Sequence, residues 1–80
     1  MDNETKVRVF KVMKKVTGRE FNSIDLNGDL KNQLTLDSIQ IVELFAGLEQ
    51  EFNIELPLSM MTVRSGNAFF GLLDEELNKQ

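Results

Sequence analysis

The side chains with most chemical promise stand in LDSIQIVEL, residues 36–44, where Asp37 and Ser38 open an amphipathic helical pattern. A serine there can cap the helix, attack a substrate, or serve as an attachment point. Attack needs a base to activate the hydroxyl. The chain has no histidine, so a Ser-His-Asp triad is excluded. A Ser-Lys dyad would need a lysine, and none occurs between residues 32 and 78. The G-x-S-x-G elbow is missing as well. With no cysteine either, and only 80 residues, little catalytic chemistry remains and there is no room for a buried substrate cleft.

The second candidate is DLNGD, residues 25–29, which resembles the start of a calcium loop. Asp25, Asn27 and Asp29 would be positions one, three and five. Position six should then be glycine and position twelve glutamate, but Leu30 and Leu36 stand there. A turn is the better reading. Without cysteine or histidine the chain also lacks the ligands of a structural zinc site.

Capping is the ordinary role of a serine at a helix start. Asp37, however, is the better N-cap, and Gln40 three residues on completes a capping-box pattern. Ser38 then becomes the first helical residue, with its hydroxyl outward and free for modification. A phosphate ester there would lie at the positive end of the helix dipole. In helical projection Ser38, Val42, Ala46 and Glu49 fall together, flanked by Ile39 and Glu43. The result is a small apolar strip of Ile39, Val42 and Ala46, edged by acids, which suits docking of a basic partner that must reach the serine. The competing reading makes Ile39 and Val42 an extension of the core face.

These residues need elements to position them. The 3.6-residue period predicts a helix over 4–17 with Val9, Val12, Met13 and Val16 inward, stopped by Gly18. Residues 19–36 read as a long loop anchored by Phe21, Ile24, Leu26, Leu30, Leu34 and Leu36, with room for a short helix. A helix over 37–52 buries Ile41, Leu44, Phe45, Leu48 and Phe52. A short helix follows from Pro57 through Met61, and a last one runs from Ser65 or Asn67 to Leu77, burying Phe69 or Phe70. Nothing alternates at period two long enough for a sheet. The expected fold is all-α: one domain over 1–80, a small bundle of three main helices with a minor fourth.

Charge is unevenly distributed. Residues 1–31 hold seven bases against five acids, whereas residues 32–63 hold five acids and no base. The acidic middle repels nucleic acid and anionic membrane and suits partners that present arginine and lysine. No apolar run approaches a membrane span, and MDNETKVRVFK is no secretory signal, so a soluble cytoplasmic monomer is expected.

LTLDSIQIVELFAGLEQEFNIELP, residues 34–57, resembles the acyl carrier proteins. The resemblance rests on Asp37-Ser38-Ile39, Glu43-Leu44, Leu48-Glu49-Gln50-Glu51-Phe52 and Ile54-Glu55-Leu56-Pro57, and extends more weakly to both ends. It implies that Ser38 carries a 4'-phosphopantetheine arm, transferred from coenzyme A by a phosphopantetheinyl transferase. It also implies a shuttle of acyl thioesters, not an enzyme, for fatty-acid, lipid or polyketide-type biosynthesis. Acyl-transferring and synthase enzymes would read the 37–52 helix through Asp37, Glu43, Glu49 and Glu51, weakly, quickly and with salt sensitivity. An acyl chain would shelter beside Val42, Phe45 and Ala46, with Met61 and Phe69 or Phe70. The sequence departs from the family's pattern at Thr35, where glycine is usual, at Gln40, commonly acidic, and at Ala46, commonly bulky. The alternative function is an unmodified helical interaction module that uses the same acidic helix.

Overall fold

The structure, a computed structural model, describes residues 2–21 and 24–79. Its elements are α1 (Asn3–Thr17), α2 (Leu30–Leu34), α3 (Ser38–Phe52), a 3-10 helix (Leu58–Thr62) and α4 (Gly66–Asn78). Among the described residues there is no strand, only an isolated bridge between Asp29 and Ser65. The all-α bundle and the long first connection match expectation, and α2 is the short helix for which that connection had room. Asn22 and Ser23 of the connection lie outside the described residues.

Each α-helix begins at a side-chain cap. Asp2 accepts from the Thr5 N–H at 2.8 Å, Asp29 from Asn32 at 3.1 Å and Ser65 from Ala68 at 3.1 Å. Gly18 ends α1 in the left-handed conformation, φ 76°, where its N–H reaches the Lys14 carbonyl. Pro57 takes the N-cap of the 3-10 helix.

The core joins Val9, Val12 and Met13 of α1 to Leu44, Phe45 and Leu48 of α3 and to Phe69, Phe70 and Leu73 of α4. Both candidate phenylalanines of α4 are therefore buried. A ring sequence crosses the bundle: Phe45 to Phe69 at 6.0 Å, Phe69 to Phe70 at 5.4 Å, and Phe70 to Phe10 at 6.5 Å, the last two edge-on. Helices α1 and α3 cross closely at Gly47, where an added Cβ would stand 2.7 Å from a Val12 methyl.

The long connection is strapped to the start of α4. Leu30 N–H donates to the Arg64 carbonyl at 2.7 Å, and Asn67 N–H to that of Leu26 at 2.8 Å. A Cβ on Gly66 would meet the Leu26 Cα at 3.0 Å, so this approach depends on glycine. Leu30 and Leu34 are buried, and Phe21, Ile24 and Leu36 pack on the core. Leu26, expected as an anchor, is instead exposed, because its backbone makes the contact with α4.

Helix α2 ends at Thr35, which adopts φ 55° and ψ 49° and precedes the Leu36-Asp37-Ser38 segment. A β-branched residue in this left-handed region is strained, by about 1–3 kcal/mol. Thr35→Gly removes that strain but adds about 0.5–1 kcal/mol of unfolded-chain entropy. The variant should gain about 1 kcal/mol net, raising the melting temperature by roughly 4–8 °C in a domain this size. Thermal denaturation followed by circular dichroism checks this, and a lower melting temperature would show that the strain is relieved in the native chain.

Candidate functional site

Asp37 is the N-cap of α3. Its carboxylate accepts the Gln40 N–H at 2.8 Å, and the Gln40 side-chain oxygen accepts the Asp37 N–H at 3.2 Å, closing a capping box. Ser38 is therefore released from capping. It is exposed, and its hydroxyl makes no hydrogen bond among the described residues. It lies in the first turn of α3, where free N–H groups favour an anion. The residues at this position fit a phosphate ester on Ser38.

The outer face of α3 is solvent-facing. Ile39 is 72% exposed and Val42 56%, and Ala46 and Glu43 are exposed beside them. The strip is not an extension of the core. Glu43 makes no hydrogen bond or ion pair among the described residues. Glu49 and Glu51, expected on the same face, are engaged within the molecule. The Glu49 carboxylate accepts the Leu56 N–H at 2.9 Å. Glu51 accepts from Arg8 Nε at 2.8 Å, and Arg8 Nη2 donates to the Glu51 carbonyl at 2.5 Å. The Arg8 guanidinium also lies 4.4 Å over the Phe52 ring.

Under the start of α3 lies a cavity of about 20 Å³, lined by Leu30, Lys31, Leu36, Ile41, Leu44, Phe45, Met60, Met61, Val63 and Phe69. Phe45, Met61 and Phe69 line it as expected. Val42 and Ala46 do not, because the helical turn that points Phe45 inward points them to solvent. Leu36 and Ile41 stand on either side of Ser38 in the sequence. Lys31 is the one charged residue in the lining.

Three of the five bases of α1 line a different groove. Lys6, Lys11 and Lys14 edge an open groove of about 650 Å³ over Phe10, Phe21 and Phe70, which no α3 residue lines. Lys14 pairs there with Glu20. The DLNGD segment is a turn: Asp25 accepts the Asn27 N–H at 3.0 Å, and Asp29 caps α2.

The phosphopantetheine attachment site family model matches residues 7–67, most of the chain. The chain belongs to this family, in accord with its resemblance to acyl carrier proteins. Domains of this family are phosphopantetheine carriers, which work with transferases and synthases and are not themselves catalytic. Among the described residues no helix is long and apolar enough to cross a membrane.

The Arg8–Glu51 contact was invisible in the sequence, being 43 residues apart. The hydrogen bond from Arg8 holds the Glu51 carboxyl below its ordinary value; burial opposes this, and the charges of Lys11, Arg8 and Lys15 add to the lowering. A depressed carboxylate contributes stability that is full above the ordinary glutamate pKa and lost as pH falls through the depressed one. Arg8→Ala should therefore lower the melting temperature at neutral pH, with the gap to wild type closing on acidification. NMR titration should place the Glu51 midpoint below an ordinary glutamate and show it rising in Arg8→Ala. Equal midpoints in the two proteins would overturn the assignment.

Proposed function

We propose that Ser38 is the attachment point of the 4'-phosphopantetheine arm and that the chain shuttles acyl groups among enzymes of fatty-acid, lipid or polyketide-type biosynthesis. The observation that carries this reading is the exposed, unbonded Ser38 hydroxyl in the first turn of α3, with Asp37 and Gln40 doing the capping in its place. The chain places no histidine or cysteine anywhere, and no lysine from 32 to 78, so the base that takes the Ser38 proton must come from a phosphopantetheinyl transferase. Once attached, the arm supplies a terminal thiol that holds acyl groups as thioesters. Asp37 keeps the helix start ordered during transfer, and the first-turn N–H groups favour the phosphodiester. The exposed strip of Ile39, Val42 and Ala46, with Glu43, forms the docking face for the transferase and for acyl-transferring and synthase enzymes. The setting is the cytoplasm, and the chain acts as a monomer.

Incubation with coenzyme A and a phosphopantetheinyl transferase should add one group of roughly 340 Da, calculated from the arm's covalent formula, by intact mass. Ser38→Ala should abolish the gain and leave helical circular dichroism unchanged, since Asp37 still caps. Modification at Ser23, Ser59 or Ser65 instead would sink the assignment.

The small cavity beside Ile41 and Phe45 is the proposed shelter for the acyl chain. Methionines 60 and 61 in its wall can repack to widen it. Each buried methylene contributes about 0.8 kcal/mol. Melting temperature should therefore rise as acyl groups on the arm lengthen, then level off. No dependence on length would place the acyl chain in solvent.

A further inference from the structure

The acids of α3 are fewer, as seen by a partner, than the sequence suggests. Glu49 holds the part-buried Leu56 N–H, and Glu51 holds Arg8. Both carboxylates are half-buried and have an oxygen committed inside the molecule, so engaging that oxygen with a partner costs an internal hydrogen bond. Gln40 is uncharged and folded back onto the Asp37 N–H. Asp37 has one oxygen committed to its cap. Glu43 is the one acid of α3 that is exposed and makes no hydrogen bond or ion pair among the described residues. Around it stand Ile39 and Val42, both more than half exposed, and Ala46.

We infer that partners recognise this chain mainly through the apolar strip of Ile39, Val42 and Ala46, with Glu43 as its one free acid, so that the matching surface is an apolar recess beside a single cation and not a basic strip. This rests on the carrier reading above and names the chemistry of the partner. An exposed ion pair is weak and screened by salt, whereas desolvated aliphatic side chains contribute more and are indifferent to it. The small Ala46 leaves a shallow place in the strip, into which a partner's apolar side chain can seat.

The test uses the full chain, coenzyme A and a phosphopantetheinyl transferase, with kcat and KM measured separately. Ile39→Ala and Val42→Ala should each lower kcat/KM about tenfold through KM. Glu43→Gln should lower it about two- to fivefold and remove most of its salt dependence. Glu49→Gln and Glu51→Gln keep an acceptor oxygen for their internal donors, so each should change kcat/KM less than about twofold; melting curves confirm the fold. If wild type is not modified at all, the carrier reading fails. If it is modified, equal losses in the three Glu→Gln variants, or unchanged rates in both alanine variants, overturn the apolar recess and leave the carrier standing.

Discussion

The capping box of α3 is the constraint on which the site depends. Two hydrogen bonds, Asp37 with the Gln40 N–H and Gln40 with the Asp37 N–H, satisfy the helix start without calling on Ser38. Had Ser38 been the cap, its hydroxyl would have turned inward to a backbone N–H two or three residues on. Moving the cap back by one residue turns an ordinary structural serine into an exposed, uncommitted one. The same shift places it against the positive end of a fifteen-residue helix.

That helix start is held from two sides. Downstream, α3 is locked to α1 by the close approach at Gly47 and by Arg8 reaching both the Glu51 carboxylate and its carbonyl. Upstream, α2 is tied to α4 through Leu30 and the Gly66 contact, and Arg19 reaches the Leu34 carbonyl at 2.6 Å. Between α2 and α3 run only Thr35, Leu36 and Asp37. The segment bearing the site is thus short and fixed at both ends, with its one strained residue, Thr35, at the turn.

Local signals in the sequence were enough for the helices and for the release of Ser38 from capping. Caps, the 3.6-residue stripe and Gly18 act within a few residues, so α1 and α3 were legible nearly to their ends. The short helix in the first connection was allowed but not placed, because five residues carry too little periodicity. What the sequence could not show was which acids are free. Glu49, Glu51 and Glu43 are the same residue type on one helix, and only the path of the chain after Asn53 and the placement of α1 decide their partners. Leu26 failed as an anchor for a related reason: its carbonyl is held by the Asn67 N–H while its side chain stays exposed.

The cavity and the anchors together say where the bundle can give. A space of about 20 Å³ holds about one water, so any cargo entering it must move side chains. The α1–α3 side is the rigid one: its Val12–Gly47 contact has no slack and Arg8 bridges it with two hydrogen bonds. The opposite wall is built from Leu36, Met60, Met61 and Val63, carried on the three-residue link before α3 and on a 3-10 helix whose N-cap has no side-chain hydrogen bond. If cargo enters as proposed, widening is expected at the 3-10 segment and its methionines, with α3 and Ser38 held against α1. The α3 face proposed for partners would then stay undisturbed while cargo enters beside the core.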